Sequence, residues 1–414
     1  MKDTRPLLSL DEALARLVAG AVPRRITQTE TISSFDALGR VLAADVISAL
    51  DVPPADNTSM DGYALRAADV PAAGTVLAVS QRIPAGVVGT ALQPGTAARI
   101  FTGGQVPCGA DAVVMQEQCA ALAGDVASAG LGQVRVDTIP KPGQWIRRAG
   151  EDVRRGATVL AAGTRLTPQA LGMAASVGAA TLAVWRRPRV ALFSTGDELA
   201  MPGEPLKPGA IYNSNRYTLR ALLLAAGCDV QDLGIVPDRL DATRDALRRA
   251  AAGSDLILTS GGVSVGEEDH LKPAVTAEGG LDLWQIAMKP GKPLAFGHVG
   301  DALFIGLPGN PVSSFVTFLL AVAPVLRALQ GMDPEGPTAL SLRADFDWPK
   351  PDRRREFLRG RLNTAGGLEL FGNQSSGVLN STVWADGLVD IPAGQVVQRG
   401  DAVRFLPMDS LVWR

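Results

Sequence analysis

The sequence contains little cysteine and little histidine. Its 414 residues include three cysteines, Cys108, Cys119 and Cys228, without a CxxC pair, and two histidines, His270 and His298. A disulfide framework needs paired thiols, and a structural zinc site needs several closely spaced cysteine or histidine ligands. We therefore expect neither a disulfide-stapled fold nor a Cys/His zinc centre.

An excess of charge of one sign is also missing. Forty lysines and arginines stand against 42 aspartates and glutamates, and the pI is about 5.9. Proteins that bind nucleic acid or an anionic membrane surface carry a basic patch. The composition therefore predicts no nucleic-acid and no membrane partner, and it favours a small-molecule ligand.

The sequence shows no signal peptide and no long apolar run. The N-terminal stretch predicts an amphipathic helix instead, because Ser9 and Glu12 have the spacing of a capping box and Gly20 favours a helix end. The apolar run 315–326 is shorter than the about 18 to 20 residues that cross a bilayer. We expect a reduced, cytoplasmic protein.

The residue pattern changes along the chain in a way that predicts several domains. Between about 188 and 330, short apolar runs alternate with helical patterns, which indicates an open, mostly parallel α/β sheet. The flanking segments are rich in short strands and turn residues. The predicted fold is multi-domain α/β plus β, with an elongated N-terminal domain (1–52 and 142–184), a small, mainly β inserted domain (53–141), an α/β domain (185–331) and a C-terminal β barrel (335–414).

Acidic residues follow the predicted parallel strands, where such sheets bind their ligands. Asp197 and Glu198 follow the strand "RVALF", Asp238 follows "DVQDLGIV", and Asp269 ends the loop after "DLILT". Each acid alone has a simpler interpretation as a turn residue or a helix N-cap. Their placement along one edge of the sheet indicates a functional site.

The same edge carries features that attract anions. A glycine-rich loop follows the third strand and a helix begins after the fourth, and both offer free backbone N–H groups. A rigid Lys-Pro-Gly-Lys-Pro segment fixes two lysines nearby. Helix capping and a surface turn are the alternative interpretations. The candidate substrate-binding residues in these segments are Ser260, Gly261, Gly262, Lys289, Lys292, Pro308, Asn310 and Pro311.

Acids and phosphate-binding loops are compatible when a hard divalent cation lies between them. Mg²⁺ takes one or two carboxylates together with substrate phosphates. We therefore expect Mg²⁺ as the cofactor, with Glu198, Asp238 and Asp269 as candidate metal ligands. Such a site suits cleavage of a phosphoanhydride. The sequence contains no GxxxxGK[ST] motif, which excludes a P-loop.

Three further candidates lie outside the α/β region. Asp61 occurs in "DNTSMDGYAL", Thr102 stands beside two glycines in "RIFTGGQ", and Asp152 lies between two pairs of arginines in "RRAGEDVRR". A turn is the alternative interpretation for Thr102. For Asp152, a surface ion pair is slightly favoured from the local sequence alone.

Together these segments resemble the MoeA family of molybdopterin molybdenumtransferases, which includes the E domain of gephyrin. The resemblance covers nearly the whole chain in order and rests on "DNTSMDGYA", "RIFTGGQVPCGADAVVMQE", "RRAGED", "FSTGDEL", "TSGGVSVGEED", "MKPGKP" and "GLPGNPVSS". It implies the last step of molybdenum cofactor synthesis, in which adenylylated molybdopterin is bound with Mg²⁺, its phosphoanhydride is cleaved, molybdate is inserted at the dithiolene sulfurs and AMP leaves. It also implies an elongated, four-domain homodimer with a shared active site, and transient contacts with the adenylyltransferase and with molybdoenzyme acceptors.

The resemblance also implies roles for individual residues. Those carried over for the nucleotide-pterin and its metal are Asp61, Thr102, Asp152, Glu198, Asp238 and Asp269, and the five acids among them are the catalytic candidates. Lys289, Lys292 and the prolines of the PGNP turn are implied near phosphate or molybdate. Arg354 and Ser376 align with positions that the family uses around an oxyanion. One departure is Gln285, where the family often has a basic residue.

Two alternative functions stay open. A molybdopterin adenylyltransferase would share the α/β domain and the SGG loop, but it would be a much shorter protein. A non-catalytic scaffold of the gephyrin kind would normally carry a further N-terminal domain and linker. The length of the chain favours the molybdenumtransferase over both.

Overall fold

The computed structural model describes residues 7–122, 131–263, 270–334 and 339–413. The α-helices in these ranges are α1 (Leu10–Ala21), α2 (Pro168–Ser176), α3 (Ser214–Ala225), α4 (Leu240–Ala251), α5 (Leu271–Glu278), α6 (Pro311–Thr317), α7 (Ala323–Leu329), α8 (Asn380–Trp384) and α9 (Met408–Trp413). A π-helical turn (Phe318–Val322) joins α6 to α7, and short 3₁₀ turns lie at Val22–Arg24, Ser34–Asp36, Ala67–Asp69 and Gln116–Gln118.

The strands fall into three stretches of the chain. The first contains β1 (Thr29–Ser33), β2 (Val46–Ile47), β3 (Asn57–Thr58), β4 (Gly62–Leu65), β5 (Thr75–Ile83), β6 (Thr96–Ile100), β7 (Ala112–Met115), β8 (Cys119–Leu122), β9 (Gln133–Val136), β10 (Ile146–Arg147), β11 (Thr158–Leu160) and β12 (Thr181–Trp185). The second contains β13 (Arg189–Thr195), β14 (Leu199–Ala200), β15 (Ile211–Tyr212), β16 (Asp229–Val236), β17 (Leu256–Ser260), β18 (Gly279–Gln285), β19 (Met288–Lys289), β20 (Pro293–Val299) and β21 (Ala302–Leu307). The third contains β22 (Leu340–Arg343), β23 (Arg355–Leu362), β24 (Leu368–Leu370), β25 (Gly387–Ile391) and β26 (Ala402–Pro407).

The first helix forms as its sequence predicts. The Ser9 hydroxyl accepts a hydrogen bond from the Glu12 backbone N–H at 3.2 Å, and the Glu12 carboxylate accepts one from the Ser9 N–H at 2.9 Å. Leu10, Ala13 and Leu17 are buried on one face. This face packs into the hydrophobic core shared by α3, α6, α7 and the C-terminal strands, so α1 is tied to the α/β region that follows much later in the chain.

The central sheet has the strand order β16-β13-β17-β21-β20-β18. The first four strands are parallel, as predicted, and β20 and β18 complete the sheet antiparallel. In register, Ser194 pairs with Ser260, and Ser260 pairs with Leu307. The carboxyl ends of three neighbouring strands therefore lie at one edge. Apolar cores cover both faces of the sheet, which fixes that edge in place.

The two segments 1–52 and 142–184 pair with each other through short antiparallel ladders. β1 pairs with β12, and β2 pairs with β11. Between them, the strands of the small sheet run in the order β7-β4-β6-β5-β9-β8, and β5 and β6 are the parallel pair. This sheet has its own apolar core, which includes Leu65, Val114 and Val134.

The C-terminal sheet has the order β19-β23-β25-β26-β22, with β24 paired to β23. Its edge strand β19 comes from the "MKPGKP" segment of the central region, where Met288 pairs with Arg355 and Lys289 with Glu356. A parallel bridge also joins Ala344 to Leu368 in β24. The two regions are thus joined by a strand pairing as well as by a shared core.

The sequence predicts that the apolar run 315–326 is too short to cross a bilayer. In the structure this run is part of a longer, continuous helix, Pro311–Leu329. It is 19 residues long with a mean hydropathy of 1.9, so it is long and apolar enough to cross a membrane. However, 94% of its 18-residue apolar window is buried inside the protein, as in the core helix of a globular protein. Helical residues on both sides of the run lengthen it, and the π-helical turn lies beside Pro324, which has no N–H to donate to the preceding turn.

Candidate functional site

A cleft of about 760 Å³ lies at the carboxyl edge of the central sheet. The loops after β13, β16, β17 and β21 line it. The lining residues from these loops are Thr195, Gly196, Glu198, Asp238, Ser260, Gly261, Gly262, Pro308, Gly309, Asn310 and Pro311. The structure therefore brings the PGNP turn, the glycine loop and two of the predicted acids into one cavity.

The glycine loop has a backbone that other residues would strain. Gly261 and Gly262 both lie in the left-handed region, with φ of 90° and 66°. A Cβ at Gly261 would lie 2.8 Å from the Thr195 carbonyl oxygen, and one at Gly262 would lie 2.9 Å from the Thr195 hydroxyl. The loop after β17 therefore packs directly on the end of β13, and glycine is required by both conformation and space.

The PGNP turn is held from two sides. The Asn215 side chain, in the first turn of α3, donates a hydrogen bond to the Gly309 carbonyl at 2.7 Å. On the other side, the Val312 N–H in the first turn of α6 donates to the Ser376 carbonyl of the C-terminal region at 3.0 Å. Gly377 and Leu379, which follow Ser376, line the cleft. A loop of the C-terminal region thus forms one wall of the cavity.

The charge of the cleft is negative. Among the described residues that line it, Glu198 and Asp238 are the charged side chains, and both are acids. Asp197 does not line the cleft; its carboxylate accepts a hydrogen bond from the Asp238 N–H at 3.3 Å, as a turn residue does. Within the described ranges, no three acids, histidines or cysteines lie close enough to hold a metal ion among them. Asp269, the third predicted ligand, lies outside the described residues.

Lys289 belongs to a separate cluster of charges beside this cleft. Its ammonium lies 2.9 Å from the Glu356 carboxylate, which is 1% exposed, and 3.5 Å from Asp352. Arg354 also binds Asp352, through Nε at 3.0 Å and Nη2 at 2.8 Å, and these hydrogen bonds hold the pKa of Asp352 well below its usual range. The charges of Lys289 and Arg354 are thus compensated within the protein.

Lys292 differs from Lys289, although the same rigid segment holds both. In the described part of the chain, its ammonium makes no hydrogen bond or ion pair, while its backbone carbonyl accepts a bond from the Ile286 N–H at 2.8 Å. The next residue, Pro293, lines the cleft. Lys292 is therefore the cation of this segment whose charge stays available to a ligand.

Asp61 and Thr102 form a pair in the small domain. The Thr102 N–H and hydroxyl both donate to one carboxylate oxygen of Asp61, each at 2.7 Å. These bonds lower the pKa of Asp61, the backbone bond contributing most. Neither residue lines the central cleft within this chain. Thr102 thus orients a carboxylate rather than only completing a turn.

Asp152 occupies another cavity, of about 410 Å³, together with Asn57, Arg147 and Glu151. In the described ranges, its carboxylate forms no ion pair, so the surface ion pair that its local sequence favours is wrong. The side-chain oxygen of Asn57 in the same cavity is buried and has no hydrogen-bond partner. A polar group of a ligand would satisfy it.

Three family models match the chain in order. They are described as the MoeA N-terminal region (domain I and II) at residues 8–178, a probable molybdopterin binding domain at 191–328, and the MoeA C-terminal region (domain IV) at 341–408. A molybdopterin molybdenumtransferase of Haemophilus influenzae is 38% identical over 98% of this chain and 100% of its own length. The chain belongs to the MoeA family.

Other MoeA proteins agree with this assignment. Molybdopterin molybdenumtransferase 2 of Mycobacterium tuberculosis is 40% identical over 87% of this chain and 90% of its own length. A crystal structure of the molybdopterin biosynthesis MoeA protein from Pyrococcus horikoshii has a TM-score of 0.81 at 29% identity, and the match covers 97% of this chain and 99% of that one. Apart from Gly377 and Leu379, the residues that line the cleft lie within the part matched to the molybdopterin binding domain.

Some cleft residues of this MoeA chain escape sequence reasoning. Asn213 and Asn215, at the start of α3, both line the cleft, and Asn213 caps the helix by accepting a bond from the Arg216 N–H at 3.1 Å. Polar residues directly before a helical pattern are a signal that points to such positions. Nothing in the local sequence indicates Gly377 or Leu379, because they reach the cleft from another region of the chain.

Proposed function

We propose that this chain is a molybdopterin molybdenumtransferase that acts on adenylylated molybdopterin and molybdate, with molybdenum cofactor and AMP as products. The observation that carries the proposal is the cleft at the carboxyl edge of the central sheet, where two carboxylates face a glycine loop and a PGNP turn. Its volume of about 760 Å³ lies in the range of small-molecule sites. The family membership supports the same activity.

The charge of the cleft supports Mg²⁺ as the cofactor. Glu198 and Asp238, the charged side chains of the described lining, are both acids and would repel a phosphate-bearing ligand. A hard divalent cation bound by one or two carboxylates and by substrate phosphates removes this conflict. Both acids would hold the ion, and Asp269 remains the third proposed ligand. When bound, Mg²⁺ would neutralise charge that develops on the phosphates during cleavage of the phosphoanhydride.

The protein groups around the cleft have separate proposed tasks. The Gly262 N–H in the glycine loop and the Ser313 N–H at the start of α6 bind the phosphates, because the Gly261 and Val312 N–H groups already donate to the Leu307 and Ser376 carbonyls. Lys292 supplies a positive charge near molybdate. Cleavage adds water across the phosphoanhydride, so that one phosphate stays on the pterin and the other leaves as AMP. Arg354 and Ser376 are proposed as contacts of the oxyanion.

We further propose a homodimer in which Asp61 and Asp152 complete the cleft of the partner subunit. Both acids lie in the N-terminal part of the chain and outside the described lining of their own cleft, while Thr102 keeps Asp61 oriented for a ligand. The same proposal includes an elongated shape, the closure of the C-terminal sheet into a barrel and a cytoplasmic location. It also includes transient contacts with the adenylyltransferase and with molybdoenzymes.

The activity is tested by measuring AMP release from adenylylated molybdopterin. We expect purified protein to release AMP when both Mg²⁺ and molybdate are present, and to lose this activity in EDTA. A molybdoenzyme apoprotein added afterwards should gain activity. AMP release at the background rate, with intact substrate recovered, would refute the proposed function.

The shared site is tested by mixing two inactive variants, Asp61→Ala and Glu198→Ala, under conditions that exchange subunits. A mixed dimer then contains one cleft with both defects and one intact cleft. We expect activity to return towards half of the wild-type activity per mixed dimer. Verified mixed dimers without any recovery would show that both acids act within one subunit.

A further inference from the structure

Asn213, the residue that caps α3, carries a buried hydrogen-bond donor that the cap does not use. The residue is 2% exposed, and its Oδ1 accepts the bond from the Arg216 N–H at 3.1 Å. This bond fixes the orientation of the amide, because a flipped amide would place two donors against each other. The other end of the amide is therefore Nδ2, which is buried and has no acceptor among the described residues.

A buried donor without an acceptor destabilises the folded protein. Most such groups in native proteins have a partner, which is another protein group, an ordered water or a ligand. Capping of α3 does not require the donor, because serine, threonine and aspartate supply the same acceptor oxygen at this helix position. The choice of an amide at residue 213 therefore has a reason other than the helix.

Hydrogen bonds hold Asn213 beside two parts of the proposed site. Its backbone N–H donates to the Ala200 carbonyl at 2.9 Å, in the strand β14 that follows Glu198. Two residues further along, the Asn215 side chain binds the PGNP turn at the Gly309 carbonyl. Asn213 itself lines the cleft. The amide is thus held by a backbone bond and by the cap at the wall of the cavity.

The chemistry of the cleft indicates which acceptor the amide binds. The described lining combines two carboxylates, which suit a cation, with backbone N–H groups, which suit phosphate oxygens. An asparagine N–H adds a donor without adding charge, and asparagine is among the side chains that bind phosphate oxygens. A charged phosphate oxygen also makes a stronger bond with it than a neutral hydroxyl does. A phosphate oxygen is therefore the acceptor that fits best.

We propose that Asn213 is a ligand-binding residue that donates a hydrogen bond from Nδ2 to a phosphate oxygen of the substrate. The proposal rests on the proposed function for the identity of the substrate. The burial of the donor and its position at the cleft do not depend on that function. Ligand binding supplies the acceptor that the described residues do not provide.

The decisive experiment compares Asn213→Ser with the wild-type protein. Serine keeps an oxygen that caps α3, but it has no amide that reaches the ligand. We expect the Kd for AMP, measured by calorimetry at constant Mg²⁺, to rise roughly tenfold, because a bond to a charged acceptor is lost. The Kd for pyrophosphate, which has no base, should rise as well. The Kd for adenosine, which has no phosphate, should stay the same.

Thr167→Ala is the control for the loss of a helix cap. Thr167 caps α2 by accepting a bond from the Ala170 N–H at 3.2 Å, and it lies outside the described lining of the cleft. We expect this variant to melt earlier and to keep the wild-type Kd for AMP. Asn213→Ser should instead melt close to the wild-type temperature. A wild-type Kd for AMP in Asn213→Ser, or an equal loss for AMP and adenosine, would overturn the proposal.

The same measurements separate this contact from the proposed function. If the wild-type protein binds AMP and pyrophosphate more tightly than Asn213→Ser does, but releases no AMP from adenylylated molybdopterin, the contact is retained and the proposed function is refuted. A wild-type protein that binds neither phosphate compound would overturn the contact. If Asn213→Ser does not fold, Asn213→Asp decides the question by the same Kd for AMP, because aspartate caps a helix but its carboxylate cannot donate.

Discussion

The side chain of Asn215 donates a hydrogen bond to the carbonyl oxygen of Gly309 at 2.7 Å. This bond connects the first turn of α3 with the PGNP turn that precedes α6, although 94 residues separate the two in sequence. Both residues line the cleft. The shape of the cavity at this point therefore depends on one side-chain amide.

Asn215→Ala should weaken substrate binding while the fold is retained. Loss of this bond frees the PGNP turn, and we expect the KM for adenylylated molybdopterin to rise roughly fivefold, since one hydrogen bond contributes about 1 kcal/mol. Steady-state AMP release measures the effect. Arg220→Gln, at an exposed position of α3, is the control. An unchanged KM in Asn215→Ala would mean that the turn keeps its shape without the bond.

Gly262→Ala should impair the cleft more than an alanine at another left-handed glycine. A Cβ at Gly262 would lie 2.9 Å from Thr195 Oγ1 and 3.1 Å from Leu271 Cβ, whereas a Cβ at Gly253 would meet nothing within 4 Å. Both glycines have a positive φ, 66° at Gly262 and 109° at Gly253. Gly253→Ala therefore measures the conformational strain, about 1 kcal/mol, without a steric clash. We expect both variants to melt earlier, but Gly262→Ala alone to lose substrate affinity by calorimetry. Equal affinities would contradict a phosphate-binding role for this loop.

Glu198→Gln should raise the Mg²⁺ concentration that supports half-maximal AMP release. The substitution keeps the size of the side chain and removes a charge that a hard cation needs, so we expect a shift of roughly tenfold or more. Asp197→Asn is the matched control, because the amide oxygen still accepts the bond from the Asp238 N–H and the residue does not line the cleft. A Mg²⁺ titration of both variants measures the effect. An equal Mg²⁺ requirement in Glu198→Gln and Asp197→Asn would contradict a metal-binding role for Glu198.

Lys292→Ala separates molybdate handling from pterin binding. Lys289 is neutralised by Glu356 and Asp352, whereas Lys292 has no ion-pair partner in the described part of the chain. We expect a severalfold higher molybdate concentration for half-maximal cofactor formation, with tight binding of the adenylylated pterin preserved. Lys207→Ala, at an exposed position of the same region, is the control. Weaker pterin binding at an unchanged molybdate requirement would assign Lys292 to the phosphates.

Asp352→Asn tests how much the cluster of Lys289, Asp352 and Arg354 contributes to the pH dependence of the free energy of unfolding. The hydrogen bonds from Arg354 depress the pKa of Asp352, so its contribution to stability is present above the unfolded pKa of about 3.9 and is lost as the pH falls below that value. At pH 7 we expect the variant to be less stable by about 1 to 2 kcal/mol. Urea denaturation should show this difference shrinking between pH 5 and roughly pH 2. Asp282→Asn, which removes a carboxylate at an exposed site, is the control.

The sequence by itself determines the local elements and their order. The capping box of α1, the four apolar runs of the parallel sheet and the stop of α3 at Gly227, with φ of 82°, all follow from residues close together in the chain. The position of Glu198, Asp238 and the glycine loop at one edge follows as well, because the carboxyl ends of neighbouring parallel strands meet there. Local periodicity and caps are short-range interactions, and they are visible in the sequence for that reason.

The tertiary structure alone decides how separate regions complete one another. The pairing of Lys289 with Glu356 joins residues 67 positions apart, and Ser376 reaches the helix start at Val312 from another region of the chain. The burial of the Pro311–Leu329 helix and the orientation of Asp61 by Thr102 are likewise results of packing. Such contacts depend on where folded regions meet, and the free energy that selects them comes from surfaces buried between segments that no local pattern connects.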